Sequence, residues 1–459
     1  MSHPLLTRLA LAAALIAAGP PVLADTLSFS QCVVTALAQN PDLAVSQAQI
    51  GQAEAAMRQA EGNRLPKINL SLTATHTNDA LNVFGLKLSE RLATFGDFGV
   101  DKYNGPADAS IAPHALNHPN AITNYNPRIE LLVPVYNGGQ VTSYVRQAKA
   151  YVRAAQAGDR IARQQFVKQV LMAFQGVHTA RAYMQVAREA TAAAEEYVRI
   201  TEALLKQGMV VKSDVLSARV NLADVRLRMV EARNAEATAL DQLHLLLGKP
   251  LSEPLDVGPP VMPVLLDGSI DTLRRQALDS NLGLQALSSQ IDGAGAGVDA
   301  ARAGKLPQFN IMLRQDWNSG QMAFDASSYT IAGVLTWTAF DGGTSQAAVD
   351  RAGATRTELL AKLRQARDGV AFQVGDAQRH ALEAADRLAA RAEALEQARE
   401  AQRLVKKRYE NGLGTLIEVL SAQAQLDKAG ADQVAANYEL AVQRAELKRA
   451  VGVLDAETL

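Results

Sequence analysis

The sequence predicts a mainly α-helical protein with a membrane β part, in which one order of elements occurs twice. Three observations predict this class: an internal repeat, two long stretches without proline, and four stretches in which apolar and polar residues alternate. A repeat at a constant offset indicates a duplicated structural unit. Each half is therefore expected to run helix, strand, loop, strand, very long helix, turn and shorter helix.

The repeat is clearest around two glycines, Gly208 and Gly412. Residues 206–222 read KQGMVVKSDVLSARVNL and residues 410–426 read ENGLGTLIEVLSAQAQL, and they align without a gap. A periodic stretch lies on each side of both glycines. This pattern predicts two helical hairpins, each with glycine just after the end of its first helix.

Stretches without proline predict the long helices. Residues 140–207 and 344–411 contain none, so each is predicted as one helix with a shorter returning helix after the turn. Residues 27–63 are also helical in pattern. They break at Asn40-Pro41, because proline disfavours a helical conformation in the residue before it.

Alternating residues predict four strands, at 66–76, 128–136, 309–317 and 329–340, with a long loop over 77–127. One apolar and one polar face are typical of strands in a membrane barrel. Four strands cannot close a barrel, and open edges in lipid leave backbone groups unpaired. Three copies would supply twelve strands. A soluble sheet that caps a helical rod remains the alternative.

Aromatic residues in the second pair of strands suit a girdle at the membrane interface. They are Phe309, Trp317, Tyr329, Trp337 and Phe340.

The chain is predicted to divide at its proline- and glycine-rich segments. Residues 1–24 have a weakly basic start, an apolar stretch and a final Ala24, which predicts a cleaved signal peptide. Thereafter the expected parts are helices 25–65, strand pair 66–136, helical hairpin 137–248, linker 249–270, helices 271–306, strand pair 307–341 and helical hairpin 342–459.

Composition argues against several classes of function. The net charge of −1 lacks the basic excess of a nucleic-acid-binding surface. Cys32 is the only cysteine, so an intrachain disulfide is impossible, and a buried thiol is expected. His114 and His118 lie between Pro113 and Pro119, where no helix and no metal site are predicted. No nucleotide-binding loop or catalytic motif is present, so we predict a non-enzyme without a cofactor.

Several short motifs carry a resemblance to a known family. They are Asn40-Pro41, Leu65-Pro66, PVYNGG at 134–139, FDGG at 340–343, Tyr409 with Gly412, and the repeated (D/E)VLSA. Because these motifs occur together and in this order, the chain resembles the TolC family of outer-membrane efflux proteins over nearly its whole mature length.

The resemblance implies a homotrimer in the outer membrane of a Gram-negative bacterium. Its fold would be a twelve-stranded β-barrel in the outer-membrane lipid, continued by an α-helical tunnel through the periplasm. The expected activity is passive exit of cargo. The hairpin tips would dock a periplasmic adaptor protein that serves an inner-membrane transporter, and no nucleic acid is expected as a partner.

The resemblance also implies roles for residues at the tips. Glu418 corresponds to an acidic ring at the closed end, and Asp214 and Tyr409 correspond to a linking pair. Ser421 stands at the second ring position and Gly414 replaces a linking arginine, so the gate is expected to differ in detail. Residues Thr415 to Glu418 also form a capping box, so Glu418 has a structural interpretation as well.

The remaining tip residues are expected to dock the adaptor. They are Gly208, Met209, Val210, Gly412 and Leu413, which combine a tight turn with apolar side chains in an exposed place. Three alternatives stay open at this point: the duct of a type I protein secretion system, a periplasmic adaptor with helical hairpins, and a structural coiled-coil rod.

Overall fold

The computed structural model describes residues 26–455, so the predicted signal peptide at 1–24 lies outside the described residues. The first half contains β1 (Thr26–Leu27), α1 (Phe29–Gln39), α2 (Pro41–Gly62), β2 (Lys67–Thr77), α3 (Ala80–Ser89), α4 (His114–Asn117), β3 (Ile122–Tyr136), α5 (Gln140–Lys206) and α6 (Lys212–Leu247). The second contains β4 (Asp256–Val257), α7 (Ile270–Ser280), α8 (Leu282–Ala303), β5 (Gln308–Asn318), β6 (Ala326–Thr336), α9 (Thr344–Glu410) and α10 (Leu416–Val451). The predicted duplication and the two very long helices are confirmed. Within residues 26–455, no helix combines the length and apolar character that crossing a membrane requires.

The chain divides into two compact units. One comprises Met1–Ile50, Ala154–Ser288 and Ala361–Leu459, and the other comprises Gly51–Arg153 and Ser289–Leu360. The first unit is built from helices and contains both hairpin turns. The second contains the four-stranded sheet.

The helical unit has two related cores. In one, α1 packs on α5 and α6, and the ring of Phe29 lies 5.7 Å from that of Phe174 in an edge-to-face contact. Cys32 is fully buried there, which confirms the expected buried thiol, and burial raises its pKa to about 11. In the other core, α7 packs on α9 and α10 around Leu273 and Leu447. The same arrangement therefore occurs once in each half.

The second unit contains an antiparallel sheet in the order β2-β3-β5-β6. Among the described strands, β2 and β6 each have one neighbour, so the sheet has two free edges. Its register places Leu131 opposite both Ile68 and Leu313, on a face with exposed apolar side chains. The predicted alternation is confirmed.

The opposite face of the sheet is polar. Arg128 and Asp316 are cross-strand partners, and Arg128 Nε lies 2.6 Å from Asp316 Oδ1. Arg314 Nε lies 2.8 Å from Asp316 Oδ2, so one buried carboxylate holds two guanidinium groups. This pairing satisfies a charge that would be costly to bury alone.

The strand boundaries differ from the prediction most at β3 and β6, and β6 also begins three residues earlier than expected, at Ala326. β3 begins at Ile122, six residues earlier than expected, because the whole length of β2 pairs with it. β6 ends at Thr336, so Trp337 and Phe340 lie outside the strand. Trp337 instead donates from Nε1 to the Lys305 carbonyl at 3.2 Å.

The segment predicted as a loop, 77–127, contains regular structure. Asp79 caps α3, accepting a hydrogen bond from the Asn82 amide at 2.9 Å, and three short 3-10 turns follow. The expectation of no helix around His114 was also wrong. The single turn of α4 fits between the prolines because Pro113 takes the N-cap position, where proline costs no helical hydrogen bond.

Candidate functional site at the hairpin tips

The first hairpin, α5–α6, turns at Gly208. Its φ is +74°, a left-handed conformation that favours glycine. The Gly208 amide donates to the Leu205 carbonyl at 3.0 Å, and the Met209 amide donates to the Leu204 carbonyl at 3.0 Å. These bonds satisfy carbonyls that the end of α5 leaves free.

The second hairpin, α9–α10, turns at Gly412 in the same way. Its φ is +70°. The Gly412 amide donates to the Tyr409 carbonyl at 2.9 Å, and the Leu413 amide donates to the Arg408 carbonyl at 2.8 Å. The repeat in sequence is therefore a repeat of one turn geometry.

The two tips pack against each other. A cluster of seven buried residues joins the two hairpins and is called the tip cluster: Tyr197, Ile200, Leu204, Ala218, Tyr409, Leu416 and Val419. Val210 is partly buried against this cluster. The side-chain methyl of Met209 lies over Gly412, where an added Cβ would clash with it. The structure thus brings together residues from both predicted tips.

Glu418 forms the predicted capping box. Its amide donates to Thr415 Oγ1 at 3.3 Å, and the Thr415 amide donates to Glu418 Oε2 at 3.2 Å. The Glu418 side chain is nevertheless exposed. One carboxylate oxygen holds the helix start, and the charge faces the surroundings of the tip.

Asp214 holds the start of α6 in a similar way. The Val211 amide donates to Asp214 Oδ2 at 3.4 Å. Valine has no side-chain oxygen to complete a capping box, so this helix start has only half of the arrangement at Thr415.

Tyr409 is almost fully buried, with 1% of its surface exposed. Its hydroxyl lies 2.8 Å from Thr201 Oγ1. Thr201 donates its single hydroxyl hydrogen to the Tyr197 carbonyl at 2.7 Å, so Tyr409 is the donor to Thr201. Burial raises the pKa of Tyr409, and the negative charge of Asp214 adds to this effect. Within the chain, Asp214 therefore acts on Tyr409 through its charge, while Thr201, which sequence reasoning missed, receives the hydrogen bond.

Apolar side chains are exposed at both tips. Met209 is 51% exposed and Leu413 is 71% exposed, as their places in the turns suggested. Val211 and Ile417 are also exposed, at 62% and 79%, and were not predicted. Their place at the tips could have been predicted, since both are apolar residues beside the helix starts of the repeated motif.

Two curated proteins resemble the chain over most of its length. "Protein CyaE" of Bordetella pertussis is 27% identical over 353 residues, which are 74% of this chain and 73% of CyaE. "Alkaline protease secretion protein AprF" of Pseudomonas aeruginosa is 25% identical over 353 residues, which are 73% of this chain and 71% of AprF.

Solved structures of outer-membrane channels share the fold. A crystal structure of CusC, described with its transmembrane channel formation, matches with a TM-score of 0.76 and 18% identity over 92% of each chain. The CmeC outer-membrane channel of Campylobacter jejuni matches with a TM-score of 0.75 and 17% identity, over 94% of this chain and 87% of CmeC. The predicted fold class is confirmed.

Residues 32–249 and 273–453 match the family described as "Outer membrane efflux protein", so both repeats are covered. The family and the fold are those of outer-membrane channels, which confirms the predicted location and the prediction of a passive duct rather than an enzyme. The chain therefore belongs to the outer membrane efflux protein family.

Proposed function

We propose that the chain works as a homotrimer whose hairpin tips close the duct at rest. The sheet supports the assembly, because its edges at β2 and β6 are free and one of its faces is apolar and exposed. In lipid such edges must be paired, and three four-stranded sheets supply an even-numbered barrel of the usual size.

The proposal of a gate rests on the contact between the two tips of one chain. Met209 lies over Gly412, and the adjacent helix start presents the exposed carboxylate of Glu418. Three copies around an axis would place like charges close together. Such a ring attracts cations and makes the closed state sensitive to charge. Asp214 and Tyr409 then help to hold the tip, through the buried phenol and the charge beside it.

The exposed apolar residues of the tips form the proposed docking surface. Met209, Val211, Leu413 and Ile417 are more than half exposed, and apolar groups clustered in this way favour a partner that covers them. Gly208 and Gly412 form the tight turns that present these side chains, and Val210 packs against the tip cluster beside them. The partner is a periplasmic adaptor protein, which connects the duct to an inner-membrane transporter that supplies the energy.

The gate is tested by single-channel conductance of the purified protein in planar bilayers. Glu418→Gln keeps the oxygen that accepts from the Thr415 amide and removes only the charge. Cations that the carboxylate ring attracts would bridge the three charges and hold the tip closed, so we expect the resting conductance of Glu418→Gln to exceed that of the wild type. Asp214→Ala is expected to raise the resting conductance as well, because the charge beside the buried Tyr409 is lost. Thr415→Ala is the matched control, because it weakens the cap and leaves the charge. Resting conductances equal to the wild-type value in both acid variants would refute the gate.

The family description names efflux, so small molecules are the first candidate cargo, and secreted protein is the second. The observation that favours it is the similarity to AprF, which is named as an alkaline protease secretion protein. Complementation of a Pseudomonas aeruginosa strain that lacks AprF, scored as release of alkaline protease, separates this cargo class from small-molecule efflux.

A further inference from the structure

A chain of polar side chains, which begins at Tyr197 of the tip cluster, also joins the two hairpins. It comprises Tyr197 on α5, Gln402 on α9, and Gln423 and Asp427 on α10, and is called the polar latch. Tyr197 donates from its hydroxyl to Gln423 Oε1 at 2.8 Å, and Gln402 Nε2 donates to the same oxygen at 3.1 Å. Gln402 Nε2 also donates to the Tyr197 hydroxyl, and Gln423 Nε2 donates to Asp427 Oδ1 at 2.8 Å.

The centre of the polar latch is inside the protein. Tyr197 is 1% exposed and Gln423 is 7% exposed. Burial of an amide or a hydroxyl is costly unless its hydrogen bonds are made, and here each group has a partner. Loss of one member would therefore leave another polar group buried and unpaired.

The latch residues occupy positions that are apolar or aromatic one heptad nearer the tip. Gln402 lies seven residues before Tyr409, and Gln423 lies seven residues after Leu416. Both Tyr409 and Leu416 belong to the tip cluster. A polar residue at such a seam position selects one register between helices, at a cost in stability.

Apolar contacts select a register between the hairpins less sharply than hydrogen bonds do, because hydrophobic burial does not depend on direction. A slip of one turn moves the second hairpin by about 5.4 Å along the first, which breaks both hydrogen bonds that join Tyr197 to Gln402 and Gln423.

Ion pairs in the same region connect residues within a hairpin. Arg219 pairs with Glu202 and Arg226 pairs with Glu195 in the first hairpin, and Arg391 pairs with Asp432 in the second. These ion pairs connect the two helices of one hairpin and do not connect one hairpin to the other. Near the tip, the described side chains that bond between the hairpins include Tyr197, with Gln402 and Gln423, and Tyr409, with Thr201. Farther from the tip, Lys168 on α5 also pairs with Glu446 on α10.

We propose that the polar latch sets the register of the second hairpin on the first and thereby holds the tip in its resting state. This inference rests on the proposed gate at the tip. Its four members are positioning residues, because they act on the tip through the helices that carry it. They differ from the tip acids in being buried or partly buried in the helix packing, and only one of them, Asp427, is a carboxylic acid.

The first experiment compares the resting conductance of latch variants with the wild type. Gln402→Met and Tyr197→Phe keep the volume of the side chain and remove hydrogen bonds. Each is expected to raise the open fraction about ten-fold, the shift that corresponds to one buried hydrogen bond of ~1.4 kcal/mol. Gln397→Met is the matched control, since Gln397 is an exposed amide on α9 whose Nε2 donates to Glu393 on the same helix.

The second experiment measures register directly, without conductance. Nitroxides at the exposed positions Lys206→Cys and Lys407→Cys, in a chain with Cys32→Ala, report the distance between the hairpins. Pulsed electron paramagnetic resonance on assemblies diluted with unlabelled chain gives the distribution. We expect one narrow distance for the wild type and Gln397→Met, and a broader or displaced distribution for both latch variants.

The two readouts separate the latch from the gate. A narrow, unchanged distance in Gln402→Met and Tyr197→Phe would overturn the latch, whatever the conductance shows. Broadened distances with a raised conductance support it. A third outcome is that the distances broaden while the conductance stays unchanged in the latch variants and in Glu418→Gln. The latch then sets the register, but the proposed gate is wrong, and so is the proposal that the latch holds the resting state.

Discussion

At the scale of the residue, the tips show how one side chain serves two purposes. Glu418 holds the start of α10 through the Thr415 amide, and its charge stays exposed. Capping and gating are therefore compatible, because the hydrogen bond uses one oxygen and the negative charge belongs to the whole carboxylate. The same division does not hold for Tyr409, whose hydroxyl is buried and committed to Thr201.

Asp427 gives the latch a predicted dependence on pH. Burial raises the pKa of Asp427, and the charge of Glu189 on α5 raises it further, against the Gln423 hydrogen bond and the charge of Arg228 on α6. A raised pKa in the folded state means that ionisation opposes folding. The contribution of this group to stability is complete below its ordinary pKa of about 3.9 and declines as the pH rises through the raised value.

The measurement is thermal unfolding of the wild type and Asp427→Asn between pH 4 and 8. The amide keeps an oxygen that accepts from Gln423 and cannot ionise. We expect the Tm of the wild type, relative to that of the variant, to fall as the pH rises. A difference in Tm that stays constant over this range would show that the ionisation of Asp427 is not coupled to folding.

At the scale of the element, the two hairpins share a turn but differ in what lies over it. A Cβ at Gly208 would meet nothing within 4 Å, whereas one at Gly412 would clash with the end of Met209. Both glycines have positive φ, so alanine at either position is strained by about 1–2 kcal/mol. The contact with Met209 is the additional feature of the second tip.

This difference predicts unequal effects of the same substitution. Gly208→Ala and Gly412→Ala are both expected to lower the Tm, and Gly412→Ala is expected to lower it more, because Met209 must move. Adding Met209→Ala should bring the effect of Gly412→Ala close to that of Gly208→Ala. Calorimetry of Gly208→Ala, Gly412→Ala, Met209→Ala and the double variant Met209→Ala with Gly412→Ala gives the comparison. Equal shifts in Tm for Gly208→Ala and Gly412→Ala, both with Met209 retained, would contradict this prediction.

At the scale of the whole molecule, the sheet shows why one chain is not enough. Its apolar face suits contact with lipid, and the edges at β2 and β6, which are free among the described strands, suit pairing with a neighbouring strand. On its polar face, Asp316 lies between two arginines. A net charge of −1 adds little long-range attraction or repulsion between copies. Assembly is therefore expected to depend on strand pairing and apolar burial.

The orientation of the sheet can be tested with two adjacent residues of β6. Ile331 lies opposite Leu313 on the apolar face, and Thr330 lies opposite Arg314 on the polar face. Ile331→Lys is expected to destabilise the duct in lipid by ~2–4 kcal/mol, the cost of a lysine at the bilayer midplane. Thr330→Lys should cost much less. Denaturant titration of refolding into vesicles measures both, and a larger loss for Thr330→Lys would reverse the assignment of the faces.

Local sequence patterns were sufficient to predict the two hairpin tips and the two-faced strands. The duplicated motif predicted two tips because a glycine between two proline-free stretches permits the left-handed turn, and both glycines adopt it. The alternation around Leu131 and Leu313 predicted two-faced strands because side chains of a strand point to opposite sides. The single turn at His114 was missed because the prolines flanking it exclude a long helix but not a short one.

The tertiary structure alone decided which residues meet across the hairpins. Tyr197, Thr201, Gln402, Gln423 and Asp427 were not singled out from the sequence, although glutamine at a seam position was a readable signal. Their partners lie up to 226 residues away in the chain, as between Tyr197 and Gln423. Heptad spacing predicts which face of a helix is buried. It leaves open the register between two helices, which is settled only when directional hydrogen bonds between distant segments form together.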